Sequence, residues 1–137
     1  MENVYFIKNI TSENLVKIYE ILNVKLKGNV GVKVSTGESG NPNHLNPELI
    51  KELVNKLNGT IIECNTAYPG KRTTTKEHMK VAKEHGFVDM GKGIEILDSL
   101  GEFKIPVNNG KHLEYDIIGE AMKKYDSKIK AAKNELK

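Results

Sequence analysis

Apolar residues recur along the chain in short blocks, and the spacing inside each block predicts its structure. Val4-Tyr5-Phe6-Ile7 is β-branched and aromatic and predicts a first strand. Thr11 and Ser12, with Glu13 behind them, predict a helix start, and Leu15, Ile18, Tyr19 and Leu22 keep helical spacing. Val30 to Val34 is apolar on both faces except at Lys33 and predicts a strand covered on both sides. A second helix follows, with Asn46 as cap, Pro47 at its first position and an apolar stripe of Leu49, Ile50, Leu53, Val54 and Leu57. Asn58-Gly59 ends it, and Thr60 to Cys64 predicts the next strand. Strand, helix and strand have the size of one βαβ unit, so the two strands are expected to be parallel.

Thr74 with Glu77 has the spacing of a capping box for a third helix, whose face would be Met79, Ala82 and His85, closed by Gly86. Ile94 to Leu97 predicts a short strand. Residues 103–107 and 112–118 flank Asn108-Asn109-Gly110, a hairpin turn signal. Ile118, Ala121, Met122, Tyr125, Ile129 and Ala132 predict a last helix from Gly119, with a polar end from Lys128 to Lys137. The expected fold class is α/β: one domain over 1–137, with a mostly parallel central sheet, flanking helices and an appended antiparallel hairpin. The strand order stays open.

The length of 137 residues suits a single domain with its own core. The net charge of +3 comes from scattered residues, mostly lysines, and gives no case for nucleic acid. No run approaches a membrane span, and the N-terminus lacks the pattern of a signal peptide, so a cytoplasmic protein is expected. The single cysteine, Cys64, excludes an internal disulfide and a cysteine-held zinc or iron–sulfur site within one copy. As a strand-end thiol it reads as a small buried residue, with a reactive role as the alternative.

Candidate chemistry sits in two loops, 35–45 and 65–73, which leave the carboxyl ends of adjacent parallel strands and would converge on one crevice. Lys33, Thr36, Gly37, Asn41 and His44 in or below the first, and Asn65, Thr66, Arg72 and Thr73 in the second, are the candidate ligand-binding residues. Two helix N-termini point to the same place, which favours an anion, and Arg72, the one arginine of the chain, can grip it in bidentate geometry. Glu38 is the candidate acid or base. Each has a plainer reading. The glycines of Thr36-Gly37-Glu38-Ser39-Gly40 turn a loop that is neither a P-loop nor a dinucleotide fingerprint. Lys33 can snorkel or pair with Glu38 or Glu63. His44 is expected to be the only histidine near the crevice, and more a loop hydrogen-bonder than a ligand or base. His78 and His85 lie seven residues apart on one helix, so one metal ion would not bridge them.

Val30 to Glu38, the helix opening Pro47-Glu48-Leu49-Ile50, Glu63 to Tyr68, Arg72-Thr73 and Ala82 to Phe87 follow one order and spacing. They resemble the N-terminal part of a bacterial and archaeal family, domain of unknown function 362, over about residues 29–88. Members often carry a ferredoxin-like iron–sulfur segment. The resemblance therefore implies a longer protein, with any cluster in a segment that this chain lacks and no cofactor on these residues. It makes the chain look like a truncated member or a standalone N-terminal piece. Cys64 stands where the family commonly has Asp before Asn-Thr. Three functions are open at this point: a site for a small anionic molecule, a module of an iron–sulfur electron-transfer protein, and a ligand-free interaction domain. A homodimer or a C-terminal partner is the expected protein contact.

Overall fold

The structure, a computed structural model, describes residues 3–125. Three parallel strands form the central sheet in the order β1-β2-β3: β1 (Gly31–Lys33), β2 (Thr60–Glu63) and β3 (Ile94–Ile96). Helix α2 (Pro47–Lys56) connects β1 to β2, and α3 (Thr75–Glu84) lies between β2 and β3. An antiparallel hairpin, β4 (Glu102–Pro106) with β5 (Tyr115–Gly119), follows a 3-10 turn over Leu97–Leu100. The α/β class, the parallel pairing and the appended hairpin all match the expectation from sequence.

Helix boundaries follow their caps. Thr11 accepts from the Asn14 amide at 3.2 Å to open α1 (Ser12–Leu22). Asn46 accepts from Glu48 N at 3.0 Å, with Pro47 behind it, and Thr74 accepts from Glu77 N at 3.4 Å. Such caps are worth about 1 kcal/mol each. α2 ends where Asn58 turns left-handed, at φ 47°.

The alternation of β2 sets the core. Ile61 points to one face, where it packs with Val54 of α2, Ala82 of α3, Phe87 and Met90. Ile62 points to the other, against Leu97 and Ala121. Full burial of each large side chain contributes about 1.5–3 kcal/mol, so this central strand anchors the domain.

Four expectations need correction. Val4 to Ile7 is not a strand: Val4 and Phe6 are 94% and 85% exposed, and strand propensity yields a strand only where a partner edge is engaged. The strand buried on both sides is β2, because β1 lies at the sheet edge among the described residues, and its Lys33 is exposed. The buried residues of α3 are His78, Val81 and Ala82. Met79 and His85, placed on that face from sequence, are only half-buried. After Gly119 the chain forms a 3-10 turn, Glu120–Tyr125, where a helix was expected. A Cβ on Gly119 would lie 2.5 Å from the Leu97 backbone, so β5 docks tightly and the turn begins against it. Ile129, Ala132 and the polar end from Lys128 lie outside the described residues.

Candidate functional site: a carboxylate–guanidinium–imidazole network at the carboxyl end of the central strand

At the carboxyl end of β2 the apolar alternation ends on an acid. The Glu63 side chain is 5% exposed, and both of its oxygens are used. Oε1 accepts from Arg72 Nη1 at 2.7 Å. Oε2 accepts from the Thr36 backbone N–H at 3.0 Å and lies 3.1 Å from His78 Nε2. His78, wholly buried on the first turns of α3, also lies 3.2 Å from Thr36 Oγ1 and presents Nδ1 to Asn65 Oδ1 at 3.2 Å. The Asn65 amide nitrogen donates to Thr75 Oγ1 at 3.1 Å. Each buried polar atom of this inner cluster thus has a partner, as burial requires.

Arg72 carries the network outward. Its side chain is 6% exposed, and its backbone oxygen accepts from Thr66 N at 2.9 Å. Nη1 faces Glu63. Nε donates to Glu38 Oε1 at 2.9 Å, and Nη2 reaches the same oxygen and the Tyr68 hydroxyl, 2.7 Å away. Tyr68 in turn donates to Glu38 Oε1 at 2.7 Å. Three donors therefore converge on one oxygen of a carboxylate whose side chain is 40% exposed.

A histidine stack joins the first loop to the end of α3. The rings of His44 and His85 lie 3.8 Å apart and 5° from parallel. His44 Nδ1 is 2.9 Å from Asn41 O, and His85 Nδ1 is 2.6 Å from Thr36 O. Gly37, at φ 80°, makes the turn possible, since a Cβ there would sit 2.5 Å from His44 Cβ.

Residues 30–134, most of the chain, match the family model described as a domain of unknown function (DUF362). The chain belongs to that family. No match was found among curated proteins or among solved structures.

Electrostatics follow from the contacts. Burial pushes the Glu63 carboxyl up, but the hydrogen bonds from His78 and Thr36 outweigh it and leave the group below the usual carboxylate range. The Arg72 hydrogen bond, with that of Tyr68, holds Glu38 down too. That direction keeps Glu38 ionised, the opposite of the tuning that a general acid needs near neutrality. Burial lowers the Arg72 guanidinium, and its pairing with Glu38 and Glu63 more than restores it. The Glu38 contact raises Tyr68. Burial, with Asp98 close by, pushes the Cys64 thiol up to about 11, which suits an inert thiol.

The structure brings Thr36, Glu38, Asn65 and Arg72 into one network, with Thr66 holding the Arg72 backbone. It does not bring Lys33 in: Nζ donates to Val34 O at 2.7 Å. Asn41 caps its own turn by accepting from Asn43 N at 2.9 Å, and Thr73 donates to Gly70 O at 2.9 Å. His44 is not the only histidine at the crevice, because His78 and His85 join it from α3 and its end. Glu63, Tyr68 and His78 join the network without having been among the candidate site residues, and His78 is the one that comes from a helix. Its signal was available: a histidine one turn beyond the Thr74 cap points back toward the strand end that precedes the helix.

The chain holds one cysteine, and among the described residues no group of three or more His, Cys, Asp or Glu is placed to hold a metal. Among the described residues no helix is long and apolar enough to cross a membrane.

Proposed function

We propose that the chain is a small-molecule-binding domain whose ligand, an anion, enters the crevice between loops 35–45 and 65–73. The observation that carries this reading is Arg72. A guanidinium is costly to bury, yet this one is held by the buried Glu63 on one side and meets the half-exposed Glu38 on the other. Both loops leave the carboxyl ends of neighbouring parallel strands, where open α/β folds gather ligands. A binding role suits Glu38, whose carboxylate is already engaged by Arg72 and Tyr68.

A panel of phosphate, nucleotide and carboxylate salts at constant ionic strength tests it. Saturable chemical-shift changes confined to loops 35–45 and 65–73, with a raised Tm, are the expected result. If no member of the panel perturbs either loop, the reading fails.

A further inference from the structure

The outer edge of Arg72 already binds a carboxylate, and that carboxylate belongs to the chain. Nε, Nη2 and the Tyr68 hydroxyl converge on Glu38 Oε1, while Nη1 stays on Glu63. We propose that this edge is the seat for a carboxylate-bearing small molecule, and that Glu38 is a tethered occupant which the ligand displaces. The inference rests on the crevice reading above and names its ligand class.

Three features separate Glu38 from an ordinary structural ion pair. The first is asymmetry. Glu63 and Arg72 are sealed at 5% and 6% side-chain exposure, whereas Glu38 is 40% exposed and loses little by rotating into water. The second is preorganisation. Arg72 stays fixed when Glu38 leaves, because Glu63 holds Nη1 and Thr66 holds its backbone oxygen. A ligand carboxylate then meets donors already aimed, without ordering a side chain on arrival. The third is room. A Cβ built on Gly70 would have only Glu38 Oε2 within 4 Å, at an ordinary contact distance of 3.4 Å, so that flank of the Glu38 carboxylate is uncrowded. The Glu38 backbone need not move. Its carbonyl accepts from Asn41 N at 3.0 Å, which fixes the turn and leaves only side-chain torsions to change.

Exchange of one carboxylate for another also conserves the charge of the network. The seat offers a guanidinium edge and a phenol in one locality, which suits a flat carboxylate. A tethered competitor at high local concentration lowers the apparent affinity of any free ligand, so its removal has a measurable sign.

Arg72 is the single arginine, so one Nε–H resonance reports directly on the seat. Sodium acetate is titrated against sodium chloride at matched ionic strength into the wild type, Glu38→Ala and Glu38→Gln. In Glu38→Ala, acetate should move that resonance saturably, with affinity about tenfold or more above the wild type. Glu38→Gln, which keeps a neutral oxygen for Arg72 and Tyr68, should fall between, and it carries the comparison if the alanine variant does not fold. Sodium phosphate should compete more weakly than acetate. Equal acetate affinity in wild type and variants overturns the displacement and leaves the crevice reading standing. A response to phosphate alone overturns the carboxylate class. If acetate moves the resonance no more than chloride in a folded variant, the seat itself is rejected. Silence of both loops toward every anion rejects the crevice reading with it.

Discussion

The two sides of Arg72 use the same chemistry in different surroundings. On the inner side Glu63 is sealed between β2, α3 and the Thr36 backbone, and each of its oxygens is committed. On the outer side Glu38 meets the same guanidinium with a side chain 40% exposed, from a loop rather than a strand. Burial separates a structural ion pair from a replaceable one. A partner lost from the inner side leaves charge stranded where water cannot reach, and a partner lost from the outer side is replaced by solvent.

The largest effect should come from Glu63→Ala, which takes the buried carboxylate from Arg72 Nη1 and removes the acceptor shared by the Thr36 amide and His78 Nε2. A loss of about 3–5 kcal/mol in urea denaturation is expected, the range for breaking a buried pair. A loss no larger than that of a surface ion pair would erase the difference between the two sides.

Acid should act next, and mainly on the inner side. Glu63 and Glu38 both have folded pKa values below their ordinary ones, so the folded state binds fewer protons and stability rises with pH. Their contribution is complete above the unfolded glutamate value of about 4.3, and is lost as pH falls through it and on through the lower folded values. In Glu63→Gln the acid limb of the Tm profile should be visibly shallower than in the wild type. An unchanged limb would assign the acid sensitivity elsewhere.

The smallest effect should come from Tyr68→Phe, which removes one donor from Glu38 at the exposed mouth. The denaturation midpoint should stay within error of the wild type, while acetate binding to Glu38→Ala weakens when the two changes are combined. A large stability loss would place Tyr68 with the inner group.

Much of this layout was legible in the chain. Asn46-Pro47, Thr74 with Glu77 and Asn58-Gly59 mark helix ends through local hydrogen bonds, and local signals survive folding. The two βα loops follow from the order of strand, helix and strand. Val4 to Ile7 misled because strand formation needs a partner edge, which composition does not supply. Lys33 misled for a related reason: the run around it looked doubly covered, but among the described residues β1 lies at the sheet edge, and the ammonium donates to the neighbouring Val34 carbonyl.

By itself, then, the sequence determined the α/β class, the caps and the pair of loops, because periodicity and end signals act over a few residues. Tertiary structure alone decided that Glu63 would be buried behind Arg72, that His78 would close the inner cluster from α3, and that Glu38 would stay within reach of water. Those outcomes depend on which groups meet across 9, 15 and 34 positions of chain, and on how deeply each is covered when they do. Depth of burial, more than residue type, separates the carboxylate sealed inside the network from the one that stays within reach of water.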